Sequence, residues 1–222
     1  MLTSNKASLV IDGSGSSVFA GLLDADKQWL TKIEHVGAPL EELFPVIQLA
    51  LFESGLSLND IGGYIYCEGP GSVLGLRLCA MAIETWTRLY PESAQYYKYN
   101  SLQLSAHALL HANPDLQDAL IVADWKKGAW NALYLRGRCV GATEVIDDAS
   151  LEDWGNLIYH LPQRKGWQSP PNNVQTLRYD PTIIDAIRDA EGLLQITDRI
   201  ELYGSGINTF QKWIPTRHRA QA

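Results

Sequence analysis

This chain has little to offer for covalent cross-linking, for metal binding or for gripping a polyanion. Its 222 residues include three cysteines, Cys67, Cys79 and Cys139. They are odd in number, widely spaced and set among apolar neighbours, so neither a disulfide framework nor a structural zinc site is indicated. A reducing, cytoplasmic setting is expected. Positive charge is in deficit, with 18 Lys+Arg against 25 Asp+Glu and a formal net charge of -7. That excludes a sequence-independent hold on a phosphate backbone unless the cations are strongly localised. No apolar run approaches the roughly 20 residues of a membrane span, and Met1 to Ala7 is polar, so neither membrane association nor a secretory leader is expected. No serine stands in a Gly-x-Ser-x-Gly elbow, and Cys67 and Cys79 lie in apolar runs that disfavour a thiolate. The chain is nonetheless long enough to bury a proper core, as one large domain or two small lobes.

The pattern of the first half is regular. Ser8-Leu9-Val10-Ile11-Asp12 is an apolar run ending in a carboxylate, and Gly13-Ser14-Gly15-Ser16 turns the chain. Ser17 to Leu23 and Gln28 to His35 return as two further strands of a meander. Pro39 to Glu53 places Leu40, Leu43, Phe44, Ile47 and Leu51 at helical spacing with Gly55 as a stop, although Pro45 predicts a kink or a later start. After a turn at Ser57 to Asp60 comes a buried strand, Ile61 to Cys67. The compact turn Glu68-Gly69-Pro70-Gly71-Ser72 then opens a helix from about Ser72 to Tyr90, closed by Pro91. On it Val73, Leu76, Ala80 and Ile83 repeat at intervals of three or four, and Leu74, Leu78, Trp86 and Leu89 widen the apolar surface, which suggests contact on two sides. Tyr96 to Tyr99 reads as a short strand and Ser101 to His111 as a helix. Ala119 to Asp124 and Trp130 to Leu135 form a strand pair around Trp125-Lys126-Lys127-Gly128-Ala129, so the second half repeats the meander theme. Gln163 to Asn173 is a loop, Pro181 to Glu191 a helix, and the end from Lys212 to Arg219 a basic tail.

Three constellations bear on chemistry. Asp12 with Gly13 and Ser14 can form a backbone cradle for phosphate, the carboxylate holding magnesium through water; the alternative is a hairpin turn that Asp12 caps through local hydrogen bonds. Gly69 and Gly71 before a helix N-terminus present N–H groups to an anion, or else let the helix approach the sheet closely. His107 and His111 stand four apart on one helix face and could supply two metal ligands, but no Glu lies between them and no second histidine pair completes the site.

The order of these features, and above all Gly69-Pro70-Gly71-Ser72-Val73-Leu74-Gly75-Leu76-Arg77, resembles the bacterial TsaB family, also called YeaZ. The likeness covers about Ser8 to Leu135; Asp124 with Gly128 four residues on continues it. It implies a two-lobed α/β, actin-like ATPase fold with mixed sheets flanked by helices, the first lobe at 6–100 and the second at 101–222. It also implies a non-catalytic companion of TsaD, the related enzyme that moves a threonylcarbamoyl group to the N6 amine of an adenosine beside the tRNA anticodon. On the same resemblance a TsaE-like ATPase is expected to join the pair, tRNA to be met only indirectly, and a homodimer to form when TsaD is absent. By matching, Leu43, Phe44, Ile47 and Leu51 of one helix and Val73, Leu74, Leu76, Arg77 and Ala80 of the next would make the partner contact.

The chain departs from the family at Asp12-Gly13-Ser14-Gly15, where Asp-Thr-Ala/Ser-Thr is usual. That loop is nearer to an active kinase, so an ATP-dependent phosphotransferase with Mg-ATP at Asp12, Gly13, Ser14, Gly69 and Gly71 is the alternative expectation, and a metal-dependent hydrolase at His107 and His111 a weaker one. In the main reading the protein has no cofactor and no catalytic residue of its own.

Overall fold

The computed structural model describes residues 6–90, 94–162 and 169–204. The first sheet is assembled from β1 (Ala7–Asp12), β2 (Ser17–Leu23), β3 (Trp29–Val36), β4 (Ile61–Gly69) and β5 (Gln95–Asn100). Two helices serve as crossovers, α1 (Pro39–Ser54) between β3 and β4 and α2 (Val73–Leu89) between β4 and β5. The small-residue turn after Asp12 makes β1 and β2 antiparallel, with Val10 opposite Gly21. The helical crossovers make β1, β4 and β5 parallel, with Leu9 opposite Tyr64 and Ile65 opposite Tyr97. Pro45 does not break α1, which runs unbroken from a proline at its first turn to a left-handed Gly55 cap.

From β5 the chain passes into α3 (Ser101–Ala112) and then a second sheet of β6 (Ala119–Lys126), β7 (Ala129–Arg136), β8 (Cys139–Asp147), β9 (Ile158–Leu161) and β10 (Gln175–Thr176). A short helix, α4 (Asp148–Glu152), joins β8 to β9. Strand order is β5-β4-β1-β2-β3 in the first sheet and β10-β9-β6-β7-β8 in the second. Each begins as an antiparallel meander and then adds two parallel strands on the other side of its first strand. The same motif is therefore built twice, and Asp12 and Asp124 stand near the ends of equivalent strands, β1 and β6.

One boundary needs correcting. The second lobe, expected to run from 101 to the end, gives its last described part back to the first. A helical turn with α5 (Ile184–Ile187) places Ile184 and Ile187, and Leu193 after them, in the core beneath β1, β4 and β5. β11 (Gln195–Thr197) then pairs antiparallel with β5. The helix expected at Pro181 to Glu191 stops at Ile187. The loop at 163–168, Pro91 and the basic tail lie outside the described residues.

The opposite face of the first sheet is covered by α1 and α2, whose Leu43, Val46, Ile47, Ala50, Cys79 and Ile83 pack on Leu9, Ile11 and Val18. α3 covers the second sheet through Leu102, Ala106 and Leu109. Among the described residues no helix is long and apolar enough to cross a membrane.

Candidate functional site

Asp12 ends the central strand of the first sheet and is 2% exposed. Its Oδ1 accepts the backbone N–H of Ser14 at 2.7 Å. Its Oδ2 accepts two phenols, Tyr99 from the end of β5 and Tyr179 from the segment after β10, each at 2.5 Å. Burial pushes both phenols well above the ordinary tyrosine range, and the Asp12 charge adds to it, so each keeps its proton and donates. Burial, then Asp12, likewise raises the thiols of Cys67 and Cys79, which stay protonated.

The small residues around Asp12 are small because other protein atoms occupy the space. A Cβ on Gly13 would meet Gly75 backbone at 3.2 Å, and one on Gly75 would stand 1.9 Å from the Gly13 carbonyl oxygen. A Cβ on Gly71 would meet the Ser14 oxygen at 2.6 Å, and one on Gly15 the Tyr179 ring at 3.1 Å. The Gly69-Pro70 bond is cis, with Gly69 at φ 117, and Ser72 N–H donates to the Ser14 carbonyl at 2.8 Å. Ser72 then caps α2, its hydroxyl accepting from Gly75 N–H at 3.4 Å. The run Gly69 to Gly75 thus brings the start of α2 against the β1–β2 turn, the packing alternative left open by the sequence.

Asp12, Gly13, Ser14, Gly69 and Gly71, the expected nucleotide residues, are brought together, but the space beside them is filled by neighbouring residues: Gly75 against Gly13, Ser14 against Gly71, and the Tyr99 and Tyr179 phenols on Asp12. A phosphate or magnesium ion reaching Asp12 would have to displace the Tyr179 phenol. We therefore expect titration calorimetry with Mg-ATP to return only the heat of dilution; a saturable signal with micromolar affinity, abolished in Asp12→Asn, would favour the phosphotransferase reading.

The second lobe has its own buried acid. Asp124 Oδ1 lies 3.3 Å from His160 Nε2 of β9, and the His160 ring meets Trp130 edge-on at 5.9 Å. Asn131 Nδ2 donates to the Asp124 carbonyl at 3.0 Å. Sequence reasoning found Asp124 but missed His160; the signal was the equivalence of β9 with β4, which brings the end of β9 beside the end of β6. Lys126 sits over the Trp125 ring at 4.2 Å and Lys127 is exposed on the hairpin tip. His107 is half-buried, which lowers its pKa, while His111 is exposed. Among the described residues no group of three or more His, Cys, Asp or Glu is placed to hold a metal ion.

The residues expected at a partner surface divide by the helical turn. Leu43, Ile47, Leu76 and Ala80 are buried in the chain's own core, and Leu51 is half-buried against it, so those five are corrected from interface to fold. Phe44 (49% exposed), Val73 (62%) and Leu74 (53%) face outward, as does Arg77. Leu40 and Phe52 of α1 and Met81 and Leu89 of α2 join them. Leu40 and Phe44 lie one turn apart, and Phe52, eight residues further on, is about 80° round from Phe44, so the three mark an outward face of α1 rather than a narrow line.

Two mixed sheets with helices on their faces, built on the same strand order and each carrying a buried aspartate at or near the end of its first strand, define the actin-like ATPase fold. Solved structures agree. The structure of YeaZ from Pseudomonas aeruginosa superposes with a TM-score of 0.58 at 16% identity, covering 78% of this chain and 84% of that one. That of an uncharacterized protein with similarity to peptidase YeaZ from Pseudomonas aeruginosa gives 0.58 and 16%, covering 79% and 85%. No protein-family model and no curated protein matches the sequence.

Proposed function

We propose that this chain is a TsaB-type (YeaZ) companion of a TsaD-like threonylcarbamoyltransferase, docking on it through α1 and α2 and performing no bond chemistry itself. The observation that carries the reading is the set of exposed apolar side chains Leu40, Phe44, Phe52, Val73, Leu74 and Met81 on two helices that pack against each other. Large apolar side chains left exposed together on neighbouring helices mark a protein contact. A partner of the same fold offers equivalent helices and an isologous or near-isologous fit. The likeness of fold to YeaZ and the Gly69 to Arg77 run favour a TsaD-like protein as that partner. The engaged state of Asp12 favours a supporting over a catalytic role. In this reading a TsaE-like ATPase joins the pair and tRNA is contacted through the partner.

The test is co-purification with the TsaD-like protein of the same organism, together with loss of threonylcarbamoyladenosine from tRNA when the gene is deleted. Failure of both removes the reading. Without that partner the same face is covered by a second copy, so light scattering at micromolar concentration is expected to give twice the 24.7 kDa chain mass; a monomer counts against the docking face.

A further inference from the structure

We propose that Tyr179 is the bolt of an interlobe latch, its phenol seated on the Asp12 carboxylate so that the two lobes are held in one relative arrangement from within the chain. The chain crosses between the sheets at Asn100–Ser101 and again in the segment that leaves β10 and reaches α5. The first crossing is tied by Ser101 Oγ donating to the Pro70 carbonyl at 2.6 Å and by Thr143 Oγ1 of β8 donating to Asn100 Oδ1 at 2.9 Å. Tyr179 lies on the second. It packs against the cores of both sheets, the only hydrophobic residue to border the two among the described residues, and its ring rests on Gly15. Its hydroxyl reaches Asp12 across 167 residues of sequence.

Tyr99 donates to the same oxygen but belongs to the same sheet as Asp12, so it satisfies the carboxylate without joining the lobes. Hydrogen bonds to a buried charge are the strong ones, and a buried carboxylate that loses a donor has no water to replace it. The Asp12–Tyr179 bond is thus the polar tie that opens if the lobes rotate apart about Asn100–Ser101. Its state is passed on mechanically: Gly13 abuts Gly75, and the Ser14 carbonyl holds the Ser72 N–H at the start of α2. The latch stands on geometry alone and does not depend on what α2 docks.

Spin labels on Cys139, an exposed cysteine of the second lobe, and on an introduced Lys32→Cys at an exposed position of β3 report the interlobe distance, since Cys67 and Cys79 are buried. The parent protein is expected to give one narrow distance distribution. Tyr179→Phe, which leaves the ring on Gly15, is expected to broaden it or add a longer distance, and Tyr99→Phe to leave it narrow. A narrow distribution in Tyr179→Phe, or equal broadening in Tyr99→Phe, overturns the proposal. Hydrogen exchange provides a second reading. The Ser14 and Ser72 amides should be strongly protected in the parent and exchange about tenfold faster in Tyr179→Phe. Loop-like exchange at Ser14 in the parent, or no change in the variant, overturns it equally.

Discussion

Gly75→Ala will destabilise the protein by about 3 kcal/mol or more, although the same change inside an unencumbered helix stabilises by about 1 kcal/mol. The sign reverses because the added methyl would stand 1.9 Å from the Gly13 carbonyl oxygen and 2.8 Å from its carbon, with Pro39 Cγ at 3.1 Å behind. Two of those neighbours are backbone, which has no rotamer to escape into. Gly13 cannot retreat, because Asp12 before it is held by Tyr99 and Tyr179 and Ser14 after it by the Ser72 N–H. Relief requires α2 to move away from the sheet, which opens the packing of Cys79 and Ile83 on Leu9 and Ile11. Denaturant titration should show the loss directly, with a fall in Tm of about 10 °C for a chain of this size. Gly155→Ala, where a methyl meets nothing within 4 Å, is the control and should be near neutral. If Gly75→Ala unfolds with the parent, the close approach of α2 to the β1–β2 turn is not real.

That close approach also marks where the sequence stopped being readable. Val10-Ile11-Asp12 with its glycine and serine turn identifies a strand and a tight hairpin, and Gly69 to Gly75 identifies a turn that feeds a helix. Whether such glycines leave room for a phosphate or for protein is decided by what comes to fill the space. Here the filler is Tyr179, on a two-sided segment between a two-residue strand and a short helix, with no periodicity to announce it. The strands of the second sheet were legible only as far as β7. β8 alternates imperfectly, and β9 and β10, like β11 at the edge of the first sheet, are four residues or fewer, below the length at which alternation can be recognised. For α1 the helical period was plain, yet breadth of apolar surface does not say which part faces inward. Leu43-Val46-Ile47-Ala50 is the narrower stripe that packs on the sheet, and Phe44, one residue and about 100° further round, belongs to the outside.

This division separates the proposed docking face from the core by a single step along the helix, and it yields the second large effect. If the proposed docking holds, Phe44→Glu is expected to weaken association with the proposed TsaD-like partner, or with a second copy, by about 100-fold, the range of a central aromatic contact. Its thermal stability should remain close to that of the parent, because the ring is half-exposed and a glutamate is a good helix former at that position. Leu74→Glu on α2 should behave in the same way, and the double variant should abolish the dimer. Leu43→Ala, one residue away, should do the reverse. Its side chain is buried against the first sheet, so truncation costs the fold about 2–5 kcal/mol while removing no atom from the outer face. Affinity by calorimetry and Tm by scanning calorimetry on these variants form a matrix with opposite off-diagonal entries. Should Phe44→Glu lose stability and keep its affinity, the exposed face is part of the fold by some route other than docking, and a companion role through α1 and α2 has no surface left to act on.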